Sequence, residues 1–288
     1  MPQDWTQEIR PAGLPRRIAA AGKLVGFLGL TLPLMPVQAA LIRLAPRAAR
    51  RLPHWYHRKV CRILGIRLRV EGTLQPDVPV LLLSNHASWL DIPVISAAAP
   101  VSFVAKKEVA GWPFVSWLAK LQRTVFVDRT RRTSVGDTAN EMIERLAMGD
   151  VLVLFAEGTS SDGARVLPFK TSLVGAAKPT RVAGAGAPAV TPAGAVVQTL
   201  SIVYTHMHGL PLGRADRPLI GWYGDMALGG HVWALLMAGP IDVTVSLGPP
   251  VPLDAFTDRK ALARHAEEQI RAEVVALLRG NRDTPGAR

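Results

Sequence analysis

Residues 151–155 read Val-Leu-Val-Leu-Phe, with no polar residue at either alternate position. Side chains of a strand alternate between its two faces, so such a run is stable only where both faces are covered. Further candidate strands, continuous or alternating, lie at 66–71, 80–84, 101–105, 124–127, 199–204 and 241–247. Stretches with helical periodicity separate them, at 55–65, 113–121, 134–148, 169–177 and 258–279. Ser134 and Asp258 stand where helix N-caps are expected. This alternation predicts an α/β fold: a mixed, largely parallel central sheet of about seven strands flanked by helices. Residues 178–194 are rich in Ala, Gly and Pro and read as a long surface loop.

The start of the chain is of another kind. Residues 24–42 carry no charge, a length near the lower bound for crossing a bilayer. Pro33 and Pro36 sit near the middle, where each removes a helical hydrogen bond. Two short apolar helices joined at Leu34 and Met35 are therefore expected. Arg10, Arg16, Arg17 and Lys23 precede the segment, and Arg43, Arg47, Arg50 and Arg51 follow it. Positive flanks prefer the cytoplasmic side, and a hairpin keeps both there. The expectation is a membrane-associated hairpin over 1–50 and a main domain over 51–288, on the cytoplasmic face of the inner membrane. A hairpin buried in the protein core is the plainer alternative.

Lys and Arg outnumber Asp and Glu by 34 to 22, a formal charge of +12, which calls for an anionic partner. No zinc-finger spacing, RNA-binding aromatic signature or basic zipper occurs, and aromatics are only 6%. The basic residues cluster beside the most apolar segment, so a lipid surface is favoured over nucleic acid. Cys61 is the only cysteine, which rules out an intrachain disulfide. Trp112, Trp117, Trp222 and Trp233 suit either core packing or a membrane interface. The apolar run 231–238 is too short to span and reads as core.

The expected strand 80–84 runs directly into Asn85-His86-Ala87-Ser88-Trp89-Leu90-Asp91. A His and an Asp five positions apart at a strand exit meet if the chain turns into a helix there. The carboxylate then fixes the imidazole tautomer and leaves the other ring nitrogen to take a proton. No Gly-x-Ser-x-Gly elbow is present, so a nucleophile from the protein is not indicated. On spacing alone, a His–Asp pair serves structure as readily as catalysis. His54 with His57, and His206 with His208, lack the companion ligands of a metal site, and none is expected.

Asn-His-x-x-x-x-Asp resembles the first motif of the glycerolipid acyltransferases, the family of lysophosphatidic acid acyltransferase. Other blocks follow in that family's order. Lys106, Glu108, Gly111, Pro113 and Phe126-Val127-Asp128-Arg129 resemble the second motif. Phe155-Ala156-Glu157-Gly158-Thr159-Ser160 resembles the third, and Val197-Gln198-Thr199-Leu200-Ser201-Ile202 the fourth. The resemblance implies that His86 deprotonates a lipid hydroxyl, which attacks an acyl thioester while Asp91 orients His86. It implies acceptor contacts at Asn85, Arg129, Glu157, Gly158, Thr159 and Ser160, with backbone amides near Gly158 facing the oxyanion. It implies no cofactor beyond the co-substrate, acyl-acyl carrier protein or acyl-CoA, and makes the carrier protein, the lipid acceptor and the membrane surface the partners.

Two departures narrow the acceptor. The third motif usually ends in an arginine held to grip a phosphate; Ser160 stands there instead and cannot supply a cationic fork. Thr199 replaces the fourth motif's proline. Residues 157–163, 167–170, 208–211 and 222–226 resemble the bacterial lyso-ornithine lipid acyltransferases, which acylate the 3-hydroxyl of an N-acylated ornithine. Glu157 or Asp162 then suits the ornithine amine, and Arg129 or Arg165 its carboxylate. The same groups equally suit loop caps and solvated ion pairs. The alternatives are acylation of 1-acylglycerol-3-phosphate and a non-catalytic lipid-binding protein on the same fold.

Overall fold

The computed structural model describes residues 13–128, 132–177, 192 and 194–280. Most of the expected loop at 178–194 lies outside them, as do Arg10 and Arg129.

The chain opens with two helices, α1 (Leu14–Leu44) and α2 (Pro46–Leu64). Seven strands then form the path of one sheet: β1 (Ile66–Glu71), β2 (Val80–Ser84), β3 (Ser102–Lys106), β4 (Val125–Val127), β5 (Val151–Phe155), β6 (Val196–Met207) and β8 (Ile241–Leu247). Their spatial order is β1-β8-β6-β2-β5-β3-β4, and two short strands, β7 (Leu210–Pro211) and β9 (Val251–Pro252), pair with β6. β2 is parallel to both neighbours, β5 and β6, whereas β6 and β8 are antiparallel. The sheet is thus mixed and largely parallel, as its apolar runs require.

Alternation along β2 shows why. Val80 and Leu82 join one core layer, and Leu81 and Leu83 the other; none is more than 1% exposed. The first layer is closed by α2, by α3 (Asp91–Ala98) and by α7 (Leu228–Met237), the second by α5 (Arg132–Ala147), α6 (Thr171–Ala177) and α8 (Arg259–Arg279). The small helix α4 (Val115–Leu121) leads into β4. Asp258 caps α8, its Oδ1 accepting from the amides of Lys260 at 2.7 Å and Ala261 at 2.8 Å. The expected cap at Ser134 is displaced, because α5 already begins at Arg132. The run near 231–238 is α7, with His231, Ala234, Leu235 and Leu236 buried.

The expected hairpin of two short apolar helices joined at Leu34 and Met35 does not form; the chain instead folds back between α1 and α2, and α2 runs across the expected boundary at 50/51. α1 passes unbroken through Pro33 and Pro36, and the chain turns at Ala45. The reason is local at the turn and tertiary along the helix. Ala45 precedes Pro46, and a residue before proline is driven out of the helical region; Ala45 has φ −146° and ψ 71°. Around the internal prolines, the Thr31 hydroxyl bonds the Phe27 carbonyl at 2.6 Å and the Tyr56 hydroxyl at 2.8 Å. Gln38 Nε2 donates to the carbonyls of Ala49 and Leu121, both at 2.9 Å. These contacts tie α1 to α2 and α4 where its own backbone bonds are missing.

α1 leaves much apolar surface uncovered. Its only fully covered residues are Ala20, Thr31 and Gln38, and Leu24, Phe27 and Leu30 pack against the core, whereas Leu14, Ile18, Val25, Leu32, Val37 and Leu44 are exposed. The helix is also long and apolar enough to cross a membrane. Such a surface is stable in contact with lipid rather than water.

Candidate active site

Strand register builds the site. Ser84 of β2 is level with Phe155 of β5, so the residues after each strand leave the sheet side by side at its carboxyl end. Ligand sites of α/β sheets lie at that end. The amide of Ala156 donates to the Ser84 carbonyl at 3.2 Å, and that of Ser161 to the His86 carbonyl at 3.0 Å. The segments 84–88 and 156–163 therefore run together. Gly163, in the left-handed region at φ 69°, abuts Ala87: a Cβ there would lie 3.2 Å from the Ala87 methyl.

His86 and Asp91 meet as their spacing suggested. The chain turns into α3 at Asp91, and His86 Nδ1 lies 2.7 Å from Asp91 Oδ2. The same oxygen accepts from the amides of Ala87 at 2.7 Å and Ser88 at 3.0 Å. The other carboxylate oxygen, Oδ1, accepts from the Tyr204 hydroxyl at 2.7 Å. Asp91 is wholly buried, whereas the His86 side chain keeps 19% of its surface exposed. The ring stacks on Phe155, with centroids 4.0 Å apart and planes 17° apart. With Nδ1–H donating to Asp91, the Nε2 lone pair is the one turned to other business.

Other expected contacts have structural duties. Asn85 is 3% exposed; its Nδ2 donates to the Ile202 carbonyl and its Oδ1 accepts from the Ile202 amide, both at 2.9 Å. It bolts the β2 exit to β6. Glu157 is 1% exposed, and its two oxygens accept from the amides of His86 at 3.0 Å and Leu167 at 3.1 Å. Both oxygens are thus taken up by the protein's own backbone. Burial pushes its carboxyl up to about 7 against the opposing pull of those two amides. The Gly158 amide closes a turn onto the Phe155 carbonyl at 3.1 Å and is not free for an oxyanion. Thr159 is exposed. Ser160 is half-buried and donates to the Trp222 carbonyl.

That bond marks a wall of the site that the sequence did not suggest. The Trp222 amide donates to the Ala87 carbonyl at 2.9 Å, so segment 217–222 lies over both motif loops. Trp89 Nε1 donates to His231 Nδ1 at 3.0 Å, and His231 Nε2 reaches the Gly221 carbonyl at 3.0 Å. His231 is fully buried, and burial holds its imidazole below the ordinary value, so it is a neutral bridge. His54 and His57 are engaged elsewhere. His54 Nδ1 meets the Ser96 carbonyl at 2.8 Å and His57 Nδ1 the Ser96 hydroxyl at 2.9 Å. Tyr204, Trp89 and His231 carried no motif signal; only the strand run ending at Tyr204 hinted at its burial.

Residues 66–202 match the family model described as Acyltransferase. The lyso-ornithine lipid O-acyltransferase of Brucella abortus is 47% identical over 265 residues, covering 92% of this chain and 96% of that protein. The enzyme of the same description from Rhizobium meliloti is 43% identical, covering 92% and 88%. The 1-acyl-sn-glycerol-3-phosphate acyltransferase of Neisseria meningitidis is 32% identical over 219 residues, covering 75% and 78%. The crystal structure of the 1-acyl-sn-glycerophosphate acyltransferase of Thermotoga maritima shares the fold, with a TM-score of 0.64 at 21% identity over 96% of this chain and 98% of that one. With this degree of likeness along nearly its whole length, the chain belongs to the acyltransferase family and is an O-acyltransferase of lipid biosynthesis.

Proposed function

We propose that this enzyme transfers a fatty acyl group from acyl-acyl carrier protein to the 3-hydroxyl of lyso-ornithine lipid, forming ornithine lipid. The observation that carries the reading is Ser160, which takes the place of a phosphate-gripping arginine and is tied to the Trp222 carbonyl. A neutral hydroxyl already engaged offers a phosphate monoester little. The relatives of highest identity reported above are lyso-ornithine lipid enzymes, which supports the same acceptor. Asp162 is half-buried and Arg165 exposed beside this segment, which suits Asp162 to the amine of an ornithine head and Arg165, or Arg129, to its carboxylate.

In this reading His86 Nε2 takes the proton of the acceptor hydroxyl as its oxygen attacks the thioester carbonyl. Collapse of the tetrahedral intermediate breaks the carbon–sulfur bond, and the imidazolium returns the proton to the departing thiolate. Asp91 holds the ring in the required tautomer and stabilises its charged form. The step uses a base and a thioester and calls on no metal or redox cofactor. The test is a competition assay of kcat/KM for lyso-ornithine lipid and lysophosphatidic acid. The enzyme is expected to prefer the former. Ser160→Arg is expected to shift the ratio toward lysophosphatidic acid by roughly tenfold or more, the value of one or two charge-assisted hydrogen bonds. A wild-type preference for lysophosphatidic acid would reject this acceptor and favour the glycerophosphate reading.

We place the enzyme on the cytoplasmic face of the inner membrane, held by α1. The outward apolar face of α1 and the basic residues on both sides of it support that placement. Removing residues 1–46 is expected to release the protein from membranes or leave it aggregated, as read by fractionation. Periplasmic labelling of a cysteine introduced near position 10 would contradict the topology.

A further inference from the structure

Asp91 is the most heavily engaged side chain of the site. Its Oδ2 holds His86 Nδ1 and the amides of Ala87 and Ser88, and all three come from its own loop. Its Oδ1 has one partner of another origin, the Tyr204 hydroxyl. Tyr204 comes from β6, and the sheet is arranged to bring it there. β6 pairs with β2 only from Val196 to Leu200, level with the last residue of β2. It then runs on past the end of β2 to Met207, paired with β8. Asn85 ties this overhang to the β2 exit through Ile202, two residues before Tyr204. The pairing with β8 shifts register between Tyr204 and His206, the kind of irregularity that re-aims a strand beside a site. The phenol therefore arrives at a fully buried carboxylate on a rigid element, and it is itself only 5% exposed.

We infer that Tyr204 is a positioning residue of the acyl transfer, which fixes Asp91 against His86 and shares the charge of its carboxylate. This rests on the reading of His86 as the general base. The phenol touches neither substrate nor reacting atoms. Its hydrogen bond does two things. It removes the rotational freedom of a carboxylate whose other contacts converge on one oxygen. It also draws negative charge toward Oδ1, so that Oδ2 holds an imidazolium less tightly than an uncompensated carboxylate would. The phenol stays a donor, because burial first and the adjacent Asp91 carboxylate second hold it well above its ordinary value.

Without the phenol, the Asp91 carboxylate turns more of its charge toward the ring, and the acidic limb of the rate profile moves up; Glu157, the other carboxyl at this loop, is the same in every variant. Tyr204→Phe keeps the ring and its packing and removes only the oxygen. It is expected to move the acidic limb of kcat/KM upward by about half to one pH unit and to lower kcat roughly tenfold, the value of a hydrogen bond to a charged group. KM for both substrates should stay within twofold, since a residue so deeply buried meets neither. Site-specific replacement of Tyr204 by a ring-fluorinated tyrosine, a stronger donor of nearly the same shape, should move the limb the other way. That variant decides the matter should the phenylalanine form fold poorly.

The experiment uses the full chain in detergent, with acyl-acyl carrier protein and lyso-ornithine lipid, and compares wild type, both Tyr204 variants, Asp91→Asn and the Tyr204→Phe/Asp91→Asn pair. Opposite shifts in the two Tyr204 variants, and loss of the Tyr204→Phe effect when Asp91 is already Asn, are expected. A slow Asp91→Asn enzyme beside unshifted Tyr204 variants would overturn the role of Tyr204 alone. An Asp91→Asn enzyme with wild-type rate and profile would overturn the role of Asp91 and with it that of Tyr204, whereas a His86→Ala enzyme with the wild-type rate would overturn the general-base reading itself.

Discussion

His86→Ala is expected to reduce acyl transfer by roughly 10²–10⁴ while leaving the protein folded and membrane-bound, since that is the range general-base assistance contributes. The structure supports both halves of the expectation. The ring is the most exposed member of its cluster, keeping 19% of its surface open, and its packing is one stack on Phe155. Removing it costs little core. What is lost is a basic nitrogen whose partner nitrogen is fixed at 2.7 Å from a buried carboxylate. The loop itself stays in place, because its backbone is held independently: the His86 amide by Glu157, the His86 carbonyl by the Ser161 amide, and the Ala87 and Ser88 amides by Asp91. Asp91→Asn should also be slow, but for another reason. An amide preserves some of the loop's hydrogen bonds and removes the charge that stabilises the imidazolium. Turnover by purified, folded His86→Ala near that of the wild type would sink the mechanism, with thermal unfolding and circular dichroism as the controls for fold.

The sheet was legible because its strands are covered on both faces, and that demand leaves five-residue apolar runs that nothing else explains. The His86–Asp91 pair was legible because its two members lie on one turn of chain. The rest of the site depends on distance in sequence. Tyr204 stands 113 residues from Asp91 and reaches it only because β6 outruns β2. No local pattern records that overhang. The backbone contacts of Glu157 and Asn85 were not legible either, because an acid or amide bound to backbone and one aimed at a ligand have the same letters. The position of the hairpin turn was missed for a related reason. Two mid-helix prolines looked like a break, but Thr31 and Gln38 bridge to α2 and α4, and the decisive proline was Pro46.

Asp150→Ala is expected to lower stability by about 3–5 kcal/mol, the cost of stranding buried charges by removing their partner. Asp150 is 3% exposed at the start of β5. Arg123 grips it with both terminal nitrogens, at 3.0 and 2.9 Å, Arg145 donates to it through Nε, and Arg50 Nε lies 2.9 Å away. One carboxylate thus holds three guanidinium groups, which come from α2, from the turn before β4 and from α5. Arg123 does so from a left-handed backbone, φ 60°, rare for a residue with a Cβ. Without Asp150 the three cations repel one another. Arg50, with 31% of its side chain exposed, has a route to water; Arg123 and Arg145, at 15% and 14%, have little. For a chain of this size the loss corresponds to a fall in Tm of roughly 10 °C. High salt should recover only part of it, because buried charges are screened poorly. This network sits at the amino end of β5, and His86 lies beyond the carboxyl end of the parallel β2. Measured at low temperature and normalised to folded protein, kcat should therefore be within twofold of the wild type. A variant that unfolds at the wild-type temperature would show that Asp150 is not what neutralises these arginines. One that stays folded but loses turnover would show that the two ends of the sheet are coupled.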